Sequence, residues 1–494
     1  MNIHSQHAPN SVKPKLGLFS GGIETYWKDT GMGDLPAALE HDIACLRNAL
    51  QPHCDVVYPG LVGNEQDAIR AARTLRDADV DLVVMYHATY VDDAMSVALL
   101  REIGDIFPVL YLSQGLPGLQ DRYSPTDWGR SWGVNSAVQL PGSLRRLWPG
   151  FRLGFVFGHL EAETSIRQLA EYARAAQATR CLSRSRIGFL PHRSASVPMY
   201  DTFPDEARMI GQTGIHLSYL YITDLLRYMD KVTPEEAQSL TDELYQMCEV
   251  VEPTENEVRL AAKQAIALER MVRDAGLDAL AIDMFPGLTP ACGMLPTVGM
   301  ARLIDQGVVV TTEGDLSTAV AGILLRSITG KPCHFWENLL FDEEQNYVLG
   351  GHEGGSAGFS MAKEGTRPKL RNTQCINFDR CSSASQRLNV PGAPHFGVLP
   401  EFITNPGPVT VVTFYRGREG YEMRIACGES VDVPPKDVHY EHTVFRPRVP
   451  IRQYFENIAR AGTCHHFALV HAPVEAEMKK VAQILRMPCV DLTA

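Results

Sequence analysis

Short β-rich runs alternate with helical stripes over the first third of the chain, and this alternation restricts the fold more than any other feature. Leu16-Gly17-Leu18-Phe19 reads as a strand, and Leu39, Ile43, Leu46 and Leu50 recur at helical spacing on one face of the segment that follows. Asp55–Tyr58 reads as a second strand, with a helix after it carrying Ala68, Ile69, Ala72 and Leu75. Strands at Leu82–Tyr86 and Val109–Leu112 enclose a helix over Asp93–Ile103. Successive β-α units demand a parallel sheet, because parallel neighbours are joined by a crossover long enough to hold a helix. Such a sheet is covered on both faces, so the apolar stripes are predicted to be core. A strand at Phe155–Gly158 and a helix from Glu161 to Ala178 close a doubly wound N-terminal domain over 1–184.

The pattern restarts at Ile187–Leu190 and gives a central α/β domain over 185–329. Thr233-Pro234-Glu235-Glu236 offers an N-cap hydroxyl, a proline where no N–H is needed and a glutamate three residues on, and Thr254-Glu255-Asn256-Glu257 repeats the capping box. The helix after it ends at Gly276, and Leu280–Phe285 reads as a buried strand. From about residue 330 the texture changes to short β-rich pieces. Val409–Tyr415 and Glu422–Cys427 flank Arg416-Gly417-Arg418-Glu419-Gly420 as a predicted hairpin. The fold class is therefore α/β, with doubly wound N-terminal and central domains and a β-rich, barrel-like C-terminal domain over 330–494.

A chain of 494 residues has ample material for such a division. Lys+Arg 46 against Asp+Glu 58 leaves a net charge of −12, which argues against nucleic acid as a partner. The opening MNIHSQHAPNSVKPK lacks the apolar run of a signal peptide, and no uninterrupted apolar stretch reaches the length of a membrane span. The 11 cysteines are odd in number and scattered without C-x-x-C, Cys375 and Cys381 being the closest pair. Free thiols in a reduced cytoplasm are expected, with no membrane partner.

Several runs deliver ionisable side chains at strand ends. Val308–Thr312 leads to Glu313-Gly314-Asp315 and then a helical run, so Glu313 should project from the carboxyl edge of a sheet while Asp315 caps the helix. Cys333-His334-Phe335-Trp336-Glu337-Asn338 ends in a carboxylate. Asn346–Gly355 delivers His352 among glycines, which permit close backbone approach to a ligand. Gly462-Thr463-Cys464-His465-His466 opens another strand, where alternation would turn the two imidazoles to opposite faces. Two carboxylates plus imidazoles suit a divalent ion such as Mn²⁺, although the separations are too long for a local metal signature.

Glu313-Gly314-Asp315, Phe335-Trp336-Glu337-Asn338, Leu349-Gly350-Gly351-His352 and Cys464-His465-His466 together resemble the ordered motifs of the L-arabinose isomerase / L-fucose isomerase family. The resemblance is clearest over about residues 290–360 and 460–472. It implies an aldose–ketose isomerase working through an enediol. It further implies an ion of the Mn²⁺ type held by Glu313, Glu337, His352 and His466, with Glu313 and Glu337 as the acid/base pair and His465 contacting the sugar. It also implies a homo-oligomer, trimeric or hexameric. Two departures bear on the substrate: Phe19-Ser20-Gly21-Gly22 stands where L-arabinose isomerases carry Gly-Ser-Gln, and Glu337-Asn338 stands where they carry Glu-Asp.

Ser20-Gly21-Gly22 matches neither phosphate-loop pattern. Lys363, Arg367, Lys369 and Arg371 read as a solvated basic loop, since charge clusters are usually exposed, the alternative being recognition of an acidic or sulfonated sugar. The competing reading of the whole chain is a non-catalytic sugar-binding protein with its ligand in an interdomain cleft, which would not need the carboxylate and histidine set.

Overall fold

The computed structural model describes residues 13–30, 32–190, 199–283, 288–352, 355–372 and 397–494. They fall into two compact units, 11–180 and 181–494.

In the first unit, β1 (Lys15–Ser20), β2 (Asp55–Val57), β3 (Leu82–Tyr86), β4 (Phe107–Leu112) and β5 (Gly154–Phe157) form a parallel sheet in the order β2-β1-β3-β4-β5. This is a doubly wound order, in which the chain starts at β1 and winds first to one side and then to the other. The predicted stripe Leu39, Ile43, Leu46 and Leu50 is wholly buried. A Cβ on Gly21 would come within 2.2 Å of the Val62 carbonyl oxygen, and one on Gly22 within 1.9 Å of Thr89 Cγ2. These two glycines serve close packing at the end of β1.

The second unit opens with β6 (Arg186–Leu190), β7 (His216–Tyr219), β8 (Glu249–Val250), β9 (Ala279–Ile282) and β10 (Val309–Thr312). Four of them make a second parallel sheet, ordered β10-β9-β6-β7. Both predicted capping boxes form, at Thr233/Glu236 and Thr254/Glu257. The strand predicted over Leu280–Phe285 is seen from Ala279 to Ile282, while residues 284 and 285 lie outside the described ones.

The rest of the chain supplies β11 (His334–Asp342), β12 (Tyr347–Gly351), β13 (Lys369–Asn372), β14 (Val398–Glu401), β15 (Gly407–Arg416), β16 (Tyr421–Ser430), β17 (His442–Pro447), β18 (His466–Val470) and β19 (Cys489–Asp491). The predicted hairpin is β15–β16, paired from Gly407↔Ser430 to Arg416↔Tyr421. Six strands close an antiparallel barrel in the order β15-β18-β11-β12-β17-β16 and back to β15, with β19 added beside β16. Trp336, Val348, Val411, Phe445, Tyr454, Phe467 and Leu469 belong to one buried cluster of this barrel.

Helix Leu316–Thr329 joins the parallel sheet to the barrel. It is buried nearly all round and packs on β9 and β10 as well as on β15 and β18, as its apolar sequence without a polar face requires. No described helix is long and apolar enough to cross a membrane. Nine cysteines are described and all are free; Cys375 and Cys381 lie outside the described residues.

Candidate active site

Strand β10 runs parallel to β9 and delivers Glu313 at its carboxyl edge, as its sequence predicts. The turn is sharp: Glu313 has φ 56° and Gly314 φ 65°. Glutamate in this left-handed region is strained, a cost on the order of 1–3 kcal/mol that persists only where the surroundings impose it. Asp315 then caps helix Leu316–Thr329, its Oδ1 accepting from the Thr318 N–H at 3.0 Å. Its other oxygen lies 3.1 Å from His466 Nδ1, and both residues are wholly buried. An acceptor on Nδ1 leaves His466 Nε2 turned toward Glu313.

The barrel brings the remaining groups to one level. Glu337 pairs with His466 across β11–β18 and with Gly351 across β11–β12. Cross-strand partners share a face, so Glu337 and His466 meet there, and His352 follows directly after Gly351. Potential ligand atoms of Glu313, His352 and His466 lie within 4.8 Å of one another, as do those of Glu337, His465 and His466. His466 thus joins two triplets that contain all five residues singled out from sequence. Phe335 forms an apolar floor beneath them, its ring centred 4.8 Å from that of His352 and 4.5 Å from that of His466.

Two atoms at the centre are buried without a hydrogen-bond partner, Glu313 Oε2 and His466 Nε2. They face each other at 3.6 Å, too far for a hydrogen bond. Glu313 Oε1 lies 3.7 Å from His352 Nε2, and Thr312 Oγ1 is in reach of the His352 ring at 3.1 Å. Burial pushes the Glu313 carboxyl up, but the imidazoles of His352, His466 and His465 outweigh it and hold the group at about 2. Glu313 is therefore an ionised, acceptor-only group among imidazoles. Such a donor set of carboxylate oxygen and imidazole nitrogen fits a divalent transition ion.

Several sequence expectations are revised. The rings of His465 and His466 lie side by side, centroids 3.9 Å apart and planes tilted by 43°, instead of facing opposite ways. His465 precedes β18 and its backbone N–H donates to Asp201, so strand alternation does not govern it. Gly350 and Gly351 make room for protein, since a Cβ would come within 2.2 Å of the Trp336 indole at the first and 2.3 Å of the Glu441 carbonyl oxygen at the second. Asn338 accepts from the Tyr454 hydroxyl at 3.3 Å, so the Glu-Asn departure points into the barrel's buried cluster. In the basic cluster, Lys363 pairs with Asp432, Lys369 with Glu401, and Arg371 with Glu252, Glu401 and Asp437. Arg367 donates to the Tyr245 and Gln246 carbonyls. His334 is a satisfied core histidine between Thr443 and Ser356 hydroxyls.

Sequence reasoning missed Asp315 as the support of His466, Thr312 and Phe335 around the imidazoles, and Asp201 beside His465. It also missed Glu441. This carboxyl is wholly buried just before β17, and neither oxygen closes a well-formed hydrogen bond. Burial pushes it up to about 8, with the Ser356 and Ala357 amides and His352 offsetting only part of the effect.

Residues 204–330 match the family described as the L-arabinose isomerase central domain. Over this segment the chain is arabinose isomerase-like. This segment holds β7–β10 together with Glu313 and Asp315. A sulfoquinovose isomerase of Alkalicoccus urumqiensis is 23% identical over 48% of this chain and 49% of its own length, so the match spans about half of that relative. A sulfoquinovose isomerase of Clostridium sp. (strain MSTE9) is 22% identical over 68% of this chain and 71% of its own. An L-arabinose isomerase 2 of Bacillus licheniformis is 28% identical over 35% of this chain and 36% of its own.

Proposed function

We propose that this chain is a cytoplasmic, metal-dependent aldose–ketose isomerase. The observation that carries the reading is the pair of buried, unpartnered atoms, Glu313 Oε2 and His466 Nε2, facing each other at 3.6 Å. Two such orphans in one place are costly unless something satisfies them. In this reading Glu313, Glu337, His352 and His466 hold a divalent ion, Mn²⁺ being the type proposed. When bound, the ion supplies Lewis-acid polarisation of the sugar's oxygens.

The protein's own part is binding and proton movement. Glu313 and Glu337 are the acid/base pair that carries a proton between C1 and C2 by way of an enediol. Asp315 holds His466 in one tautomer. Phe335 keeps the floor of the site apolar, which strengthens the charge interactions above it. His465 is more exposed than His466 and contacts the sugar. A homo-oligomer, trimeric or hexameric, belongs to the same reading and is checked by light scattering.

Relatives named sulfoquinovose isomerase put a sulfonated aldose on the test panel beside L-arabinose and other neutral aldoses. The purified chain is assayed for ketose formation on each, with Mn²⁺ and after chelator treatment, together with metal analysis. Ketose from at least one aldose, abolished by chelator and restored by Mn²⁺, is expected. Undiminished turnover in metal-stripped protein would reject the metal, and no ketose from any aldose would reject the isomerase.

A further inference from the structure

Asp201 lies in a single 3-10 turn, Tyr200–Thr202, remote in sequence from the site. One of its oxygens, Oδ2, accepts from the His465 backbone N–H at 2.9 Å and lies 2.6 Å from His465 Nδ1. The Cys464 thiol donates to the Asp201 carbonyl at 3.1 Å. The same segment is pinned again a few residues on, where Asp205 receives Arg416 at 3.0 Å and its N–H donates to the Tyr421 hydroxyl at 2.8 Å. Backbone and ring of the residue that precedes β18 are thus fixed together by one carboxylate.

A carboxylate acceptor on Nδ1 places a proton on that nitrogen, so Nε2 is the ring atom left for a ligand. The His465 side chain is 37% exposed whereas that of His466 is fully buried, so His465 is the imidazole an incoming molecule meets. Without Asp201, the ring would be free to turn within the group it shares with Glu337 and His466. It could then present the wrong nitrogen to a substrate.

We propose that Asp201 is a positioning residue, which holds the His465 ring so that Nε2 meets a hydroxyl of a polyol substrate. The proposal rests on the reading of His465 as the sugar contact. It is tested with Asp201→Ala and Asp201→Asn in the full chain, using ¹⁵N-labelled histidine in metal-free protein to read the His465 tautomer. The His465 signal is assigned by its loss in His465→Gln. The Nδ1-protonated form is expected in the unaltered chain and should be lost in Asp201→Ala. Affinity for a non-reacting sugar alcohol, measured with the metal restored, should fall at least about tenfold, the scale of losing one charge-assisted hydrogen bond. Mn²⁺ affinity should hold within about twofold, and combining Asp201→Ala with His465→Gln should add nothing, as for residues that act through each other. In turnover the rise in KM should exceed the fall in kcat. If Asp201→Ala folds poorly, Asp201→Asn carries the same measurements with a smaller loss. An unchanged tautomer, or losses that multiply in the double variant, overturns the proposal. A chain with no isomerase turnover in which Asp201→Ala still shifts the tautomer and weakens polyol binding removes the isomerase reading and keeps this one.

Discussion

Asp315 secures the start of a helix with one carboxylate oxygen and His466 with the other. Asp315→Ala is therefore expected to cost about 1 kcal/mol of stability for the lost cap and about 10- to 100-fold in Mn²⁺ affinity for the lost support. Urea unfolding in chelator and metal titration separate the two, and Asp315→Ser should restore the first without the second. Glu441 adds a pH effect. Its proton is held more tightly in the folded chain, up to about 8 against an ordinary 4.5. Its stabilising contribution is thus full below about pH 4.5 and is lost as pH rises through about 8, on the order of several kcal/mol for a shift of this size. Unfolding by urea across that window should show the decline in the parent and a flatter profile in Glu441→Gln. The cap role of Asp315 was legible in sequence because it is a contact three residues long. Its bond to His466 was not, because only the packing of helix Leu316–Thr329 against β18 creates it.

Among elements, those with local causes were the legible ones. The capping boxes at Thr233 and Thr254, the helix Asp93–Ile103 and the β15–β16 hairpin all follow from residues a few positions apart. The closure of the barrel does not, since β18 inserts between β11 and β15 from far along the chain. That insertion sets Glu337 opposite His466, so the site's central register was invisible in a linear reading. Gly350 guards the register from the β12 side. Gly350→Ala would force a methyl against both the Trp336 indole and the Glu337 carbonyl oxygen. A loss of roughly 1–3 kcal/mol, the usual cost of overpacking, is expected with weakened Mn²⁺ binding, read by thermal unfolding and calorimetry on the same sample.

At the scale of the whole molecule, every residue proposed to touch the ion belongs to 181–494, and none to 11–180. A ligand stabilises what it binds, by about 2.7 kcal/mol at a hundred times its dissociation constant. Scanning calorimetry with and without Mn²⁺ should therefore move the transition of the second unit and leave that of the first in place. Equal movement of both would show that the units unfold as one.

The left-handed backbone at Glu313 carries an implication for how this chain changes over generations. Asparagine accepts that conformation far more readily than glutamate does, so Glu313→Asn should relieve the backbone strain at this turn while giving up the carboxylate's attraction to the imidazoles and binding Mn²⁺ poorly. Drift toward a relaxed backbone and drift toward inactivity then point the same way at this position. A descendant released from its chemistry would be expected to surrender Glu313 early, and to relax its backbone in doing so.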